Sequence, residues 1–303
     1  MSKGSRVARS AAKRRKNAAQ SLPRACRGGA NPETAAERTT APKGREKQTP
    51  PAVAADLRVI ALPLADEVKP GDSLAGRLLQ SLRRHCVRFE SGDILVVKHK
   101  IVSKAEGRIV DLATIMPSKE SIAWARKYKL DPRVIELAVR ESRAIIRQKN
   151  GVLITETRHG FICANSGVDV SNVDGGRHAL LLPADPGRSA RKLHRELMKR
   201  TALNIPVLIT DTSGRPWREG LVDFCIGIAG MKALRDDRGQ RDPHGYTLQA
   251  SLEAIADELA CAAALVCGKL NRTPACIIRG FSYEPARGRA RDLLRPKADD
   301  LFR

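Results

Sequence analysis

Along this chain the apolar positions switch between a spacing of two and a spacing of three to four, and each switch predicts a change of element. Leu57-Arg58-Val59-Ile60 reads as a strand, followed by a loop from Leu62 to Glu67. Leu74, Leu78 and Leu82 then fall on one helical stripe, with Asp72 or Ser73 placed to cap it. Gly92-Asp93 turns the chain into a short strand, Ile94 to Val97. Two helices are predicted over 119–129 and 132–148, divided at Asp131-Pro132, because a residue preceding proline is pushed out of the helical region. Strands follow at 151–155 and 160–164, then a helix over 188–203 and a buried strand at 206–210. A glycine-rich stretch runs from Phe224 to Gly245. The spacing of Leu248, Leu252, Ile255, Leu259 and Val266 predicts one long helix over 247–267. Ile277-Ile278 closes the pattern as a strand, and the basic tail after Pro285 is expected to be loose. The fold class is mixed α and β (α+β), with no repeat of fixed period.

The first 55 residues break the pattern altogether. They are rich in Arg, Lys, Ala, Pro, Thr and Gln and nearly devoid of Ile, Val and aromatics, so they bury too little apolar surface to offset chain entropy. The expected organisation is a disordered basic extension over 1–55, a folded domain over 56–284 and a basic tail over 285–303. The extension holds 13 Lys and Arg against 3 Asp and Glu, nearly half of the formal net charge of +22. The remaining +12 falls on the ordered region and implies an anionic partner or substrate. A signal peptide is not expected, because no apolar central stretch is present. No apolar run approaches the ~20 residues that span a bilayer. Seven cysteines, odd in number and without a CxxC pair, fit reduced thiols in a cytoplasmic protein better than a disulfide framework or a zinc knuckle.

The common nucleotide and hydrolase signatures are missing: there is no P-loop, no GxGxxG turn, no HExxH helix and no GxSxG elbow. Four other segments could carry chemistry. Pro206-Val207-Leu208-Ile209-Thr210 reads as a buried strand that opens at Asp211-Thr212-Ser213-Gly214 into a polar turn. One carboxylate and two hydroxyls there suit a hard divalent cation, and Arg215, Trp217 and Arg218 suit a phosphorylated, planar partner. Lys98 to Arg108 carries Lys100 and Lys104 beside Glu106, a set that could face a polyphosphate or simply mark an exposed strand end. Thr155-Glu156-Thr157-Arg158-His159-Gly160-Phe161 ends a strand at a glycine, and His159 suits a structural role as well as a base. Asn165 to Asn172 is dense in oxygen donors, as ordinary turns are, and includes Asp169. The loops around Asp169 and Asp211 would share a metal only if the fold brings them together.

Taken in order, these segments resemble the coenzyme F420:L-glutamate ligase family (F420-0:gamma-glutamyl ligases). The resemblance rests on Lys98 to Arg108, Thr155 to Phe161, Ala164 to Asp169 and Asp211 to Gly220, with Asp236 to Gly245 and Ala256 to Ala260 extending it. It spans about Leu57 to Phe281. It implies the family's own mixed α/β fold as an intertwined homodimer. It further implies a GTP-dependent ligase that joins L-glutamate to the deazaflavin precursor F420-0, and then further γ-linked glutamates, through an acyl phosphate. Two divalent ions, Mn2+ or Mg2+, and K+ as activator are implied as well.

Carried over residue by residue, the resemblance makes Asp169, Asp211 and Thr212 metal ligands. Ala65, Asp66, Glu67, Val68, His99, Lys100, Lys104 and Asn172 become GTP contacts, and Arg215 and Arg218 hold phosphate or carboxylate oxygens in catalysis. His99 stands where the family has Ser, Thr, Glu or Gln. Two other functions compete with this reading. One is a related amide ligase acting on another carboxylate. The other is a nucleic-acid-binding protein using the basic extension, disfavoured by an aromatic content of 3% and the lack of a recognised nucleic-acid module.

Overall fold

The computed structural model describes residues 56–171 and 174–302; the extension through Ala55, expected to be disordered, lies outside them. The chain enters as β1 (Arg58–Leu62) and passes through helix α1 (Leu74–Arg84) to β2 (Ile94–Lys98). Ser73 caps α1 by accepting the Gly76 N–H at 3.2 Å. Helix α2 (His99–Ala105) follows β2 with no intervening loop, then β3 (Ile109–Asp111), α3 (Lys119–Tyr128) and α4 (Pro132–Arg140). At the start of α4, Asp131 accepts from the Arg133 N–H at 2.9 Å and Pro132 occupies the first turn, where its missing N–H is not needed.

Helix α4 ends well short of the predicted 148. Residues 142–149 form β4 (Ser142–Lys149), paired antiparallel with β5 (Val152–Thr157). The reason is the turn between them. Asn150 and Gly151 both adopt positive φ (51° and 79°), the conformation of a tight hairpin, and Asn-Gly takes it with little strain. The β-branched pair Ile145-Ile146 favours the strand on the same grounds. Strand β6 (Ile162–Ala164) completes this three-stranded sheet, and β7 (His178–Leu180) pairs with β3.

Helix α5 (Pro186–Thr201) leads to the hairpin of β8 (Val207–Arg215) and β9 (Arg218–Ala229). The strand expected to stop at Thr210 therefore continues through Asp211-Thr212-Ser213-Gly214. The reversal comes instead at Pro216-Trp217, where Trp217 adopts φ 58°. The polar residues stay in strand because β9 supplies backbone partners along their whole length, Thr212 opposite Asp223 among them.

The two-residue strands β10 (Arg235–Asp236) and β11 (Leu252–Glu253) precede α6 (Ile255–Cys267) and β12 (Ala275–Arg279). Helix α6 is much shorter than the predicted 247–267. Leu248 and Leu252 instead fold back on the preceding loop, with Leu248 donating to Gln240 O at 2.9 Å and accepting from Gly239 N at 2.8 Å. Those long-range hydrogen bonds occupy the backbone that a helix would need.

Among the described residues two apolar cores result. The larger surrounds the five-stranded sheet β1-β12-β2-β8-β9, in which β2 and β8 run parallel and every other pair antiparallel. Leu62, Ile94, Leu95, Leu208 and Ile209 are fully buried there, each worth about 1.5–3 kcal/mol by transfer from water. The smaller core joins α3 and α4 to β5 through Ala125, Ile135, Leu137 and Leu153.

The segment beyond Pro285 is not loose. Ala290 is buried, Leu293 and Leu294 pack on the larger core, and Lys297 reaches the buried Glu156 at 3.2 Å. Phe302 meets Trp217 edge-on, with ring centroids 4.5 Å apart. No helix of the described residues is long and apolar enough to cross a membrane.

Candidate functional site

The parallel pairing of β2 with β8 sets Lys98 beside Thr210 in register, so both strands deliver their last residues to one edge of the sheet. Beyond that edge opens a cleft of about 1180 Å³. Helix α2 starts at once from β2, which puts His99 and Lys100 on the cleft wall and Lys104 a turn later. The loop Ala65-Asp66-Glu67-Val68 forms the facing rim. Asp169 enters from the chain before β7, while Asp211 and Thr212 come up from β8. The sequence-predicted metal ligands and GTP contacts therefore share one cavity, apart from Asn172, which lies outside the described residues.

Opposite charges pair across this cavity. Lys100 Nζ sits 2.5 Å from Asp169 Oδ2 and 2.9 Å from Ser171 Oγ. Burial pushes the Asp169 carboxyl up, but hydrogen bonds from Lys100 and Ser171 outweigh that and hold it below the usual carboxylate range. Lys104 pairs with Glu67. The buried His99 places Nε2 3.2 Å from Asp211 Oδ1 and Nδ1 3.3 Å from Ser103 Oγ. Asp211 Oδ1 also accepts from the Thr212 N–H at 2.7 Å.

Asp169, Asp211 and Thr212 offer oxygen alone, the donor type that hard divalent cations take. Among the described residues no three His, Cys, Asp or Glu side chains converge into a cage. Two carboxylates and a hydroxyl on one cleft nevertheless fit an ion that draws its remaining oxygens from substrate and water, as Mg2+ commonly does.

Arg215 and Arg218 stand elsewhere. They face each other in register at the closed end of the hairpin and neither lines the cleft. Arg215 Nη2 donates to Glu219 O at 3.3 Å, while Nη1 is buried without a hydrogen-bond partner among the described residues. His159 also stays out of the cleft, with Nε2 3.1 Å from Ala184 O and its ring stacked on Phe161.

Sequence reasoning passed over three contributors. Lys98 lines the floor, and the loop Gly268 to Pro274 between α6 and β12 forms a whole wall. Asp223 sits just behind, 3% exposed, and receives Lys98 Nζ and Thr212 Oγ1, the latter at 2.7 Å. Asp223 did leave a signal: it is a carboxylate in an otherwise apolar stretch, Leu221-Val222-Asp223-Phe224-Cys225-Ile226. A charge placed where a strand must be buried calls for a partner.

Comparison with known proteins gives the family. The family model for F420-0:gamma-glutamyl ligase matches residues 64–280. A coenzyme F420:L-glutamate ligase of Methanopyrus kandleri is 42% identical over 252 residues, covering 82% of this chain and 98% of the relative. That of Methanothermobacter thermautotrophicus is 44% identical over 239 residues, covering 78% and 94%. The protein of the same name from Methanocaldococcus jannaschii is 43% identical over 216 residues, covering 71% and 86%. With the matched region running from the Ala65 rim to the strand that follows the Gly268 loop, the chain belongs to the F420-0:gamma-glutamyl ligase family and is a ligase.

Proposed function

We propose that this ligase uses GTP to join L-glutamate to F420-0, and further γ-linked glutamates after it, through an acyl phosphate. The observation that carries the proposal is the single cleft in which oxygen donors (Asp169, Asp211, Thr212) face cations (Lys98, Lys100, Lys104). That combination suits a polyphosphate and its counterion.

The chemistry needs no nucleophile from the protein. A carboxylate of F420-0 attacks the γ-phosphorus of GTP, GDP leaves, and the amine of glutamate displaces phosphate from the acyl phosphate. Lys100 and Lys104 hold the phosphate oxygens as they change places, releasing Asp169 and Glu67 from their present pairs. His99 keeps Asp211 oriented through the 3.2 Å contact at Nε2. Asp169, Asp211 and Thr212 would hold the divalent ions, Mn2+ or Mg2+, which when bound supply positive charge to the transferring phosphoryl group. K+ would act as a further activator. The loops 65–68 and 268–274 close two sides of the cavity and limit water, which would otherwise hydrolyse the acyl phosphate. Arg215 and Arg218, on the hairpin outside the cleft, would serve the anionic acceptor only if the hairpin reaches a second copy of the chain, as in an intertwined homodimer. The setting is cytoplasmic.

Mass spectrometry of the deazaflavin tests this directly. After incubation of the purified protein with F420-0, GTP, Mn2+ and L-glutamate, a ladder of glutamate-sized increments is expected, absent without GTP. GTP consumed with a different carboxylate acceptor, and no ladder, would overturn the assigned acceptor.

A further inference from the structure

Asp223 takes no part in that chemistry, yet among the described residues the side chains that donate to its carboxylate, Lys98, Thr210 and Thr212, all belong to the cleft. Its Oδ2 receives Lys98 Nζ and, at 3.4 Å, Thr210 Oγ1; its Oδ1 receives Thr212 Oγ1 at 2.7 Å. Lys98, Thr210 and Thr212 all line the cavity. The pairing follows from the sheet. Lys98 ends β2 beside Thr210 on β8, and Thr212 on β8 lies opposite Asp223 on β9, so three strands converge on one carboxylate.

The partners of this ion pair are unequally placed. The Asp223 side chain is 3% exposed and that of Lys98 19%, so the anion is withheld from the cavity while the cation borders it. A buried carboxylate needs its partners to remain ionised at tolerable cost, which fixes where they stand. A lysine otherwise keeps a flexible four-carbon stem that must be immobilised at each binding event. Tethered to Asp223, that immobilisation has already occurred on folding. The backbone of the same residue is also fixed, with the Lys98 N–H donating to Pro274 O at 2.8 Å in the loop wall.

We propose that Asp223 is a positioning residue for phosphoryl transfer. It holds the Lys98 ammonium and the Thr212 hydroxyl in fixed register at the cleft floor, and Lys98 meets a phosphate of the nucleotide as a pre-oriented cation. This rests on the ligase reading above. It adds to that reading a phosphate contact, Lys98, and the group that aims it.

The test is a double-mutant cycle on the full chain with Asp223→Asn, Lys98→Met and both together. GTP affinity is measured by calorimetry with Mn2+, glutamate addition by mass spectrometry, and the thermal midpoint reports the fold. Asp223→Asn is expected to lower kcat about 10- to 100-fold and to weaken GTP binding, with KM for glutamate unchanged. The double variant is expected to lose much less than the product of the two single losses, because residues acting as one unit are not additive; what it loses beyond Lys98→Met comes from the Thr212 hydroxyl. Multiplying effects would overturn the proposal, as would wild-type GTP affinity and turnover in Lys98→Met. Should Asp223→Asn not fold, Lys98→Arg decides: partial recovery over Lys98→Met in GTP affinity supports the proposal, and no recovery overturns it. Failure here leaves the wild-type glutamate ladder in place, whereas absence of the ladder in the wild-type protein overturns the assigned acceptor.

Discussion

The floor and the rim of the cleft are built differently, and their charged pairs behave differently as a result. The floor stands on β2, β8 and β9, strands paired along their length, and its acids are deep: the side chain of Asp223 is 3% exposed and that of Asp211 13%. The rim is made of loops and the short helix α2. Its Glu67 side chain is 67% exposed and that of Asp169 31%. A buried pair is expensive to break from one side, because the remaining charge has lost its partner and cannot regain water. An exposed pair contributes little in water and can be exchanged for a ligand at small cost. Floor residues are thus suited to fix geometry and rim lysines to change partners when a nucleotide arrives.

The largest expected effect tests the floor. Asp211→Asn keeps the shape but removes the charge that faces His99 and, on our reading, an ion. A fall in single-turnover rate of about 10²-fold or more is expected even at saturating Mn2+, with little change in thermal midpoint. Near-normal turnover under those conditions would remove Asp211 from the ligand set. At the rim the expectation is smaller and of another kind. Lys100→Ala gives up charge-assisted hydrogen bonds worth about 1.5–3 kcal/mol in binding, and so should raise KM for GTP by roughly 10- to 100-fold. Its kcat should stay within several-fold of wild type. A kcat loss matching that of Asp211→Asn would erase the distinction between floor and rim.

How much of this was legible in the sequence follows the same division. The floor residue Asp211 and the rim segment His99 to Lys104 could be singled out because polar residues interrupt or follow apolar strands there. The convergence of Asp169 with Asp211 could not, since it depends on long-range contacts that no local spacing encodes: the parallel pairing of β2 with β8, and Lys100 beyond β2 reaching Asp169. Asp223 was passed over because it is one charge in an apolar run, and its meaning appears only once Lys98 is seen across two strands. The helix-strand boundaries failed where a local turn outweighed periodicity. Asn150-Gly151 converted the second half of the predicted 132–148 helix into a strand, and the backbone bonds of Leu248 shortened the predicted 247–267 helix. Spacing alone also missed the docking of the C-terminal segment. Its contacts, Lys297 with Glu156 and Phe302 with Trp217, come from single side chains reaching distant partners.

The smallest expected effect sharpens the comparison from outside the cleft, in the lobe of α3 and α4. Glu136 on α4 accepts from the Ser118 N–H at 3.0 Å, Ser118 Oγ at 2.8 Å and Ser121 Oγ at 2.9 Å, and pairs with Arg140 at 2.9 Å. Hydrogen bonds from the Ser118 backbone and hydroxyl outweigh the opposing effect of burial, and with Arg140 and Ser121 they pull its pKa down to about 2. A carboxyl with a depressed folded-state pKa binds protons more readily when unfolded. Its contribution to stability is therefore complete above the unfolded value of about 4.3 and is lost as pH falls from there towards 2. Glu136→Gln should accordingly lower stability at pH 7 by about 1–2 kcal/mol and flatten the acid limb of the unfolding curve between pH 4.3 and 2. Glutamate addition at neutral pH should be unchanged, because none of the groups that touch Glu136 lines the cleft. Denaturant melts at pH 7, 4 and 3 check the first expectation. If the difference between variant and wild type persists undiminished at pH 3, the network stabilises α4 through shape rather than charge, and the acid sensitivity of this lobe lies elsewhere.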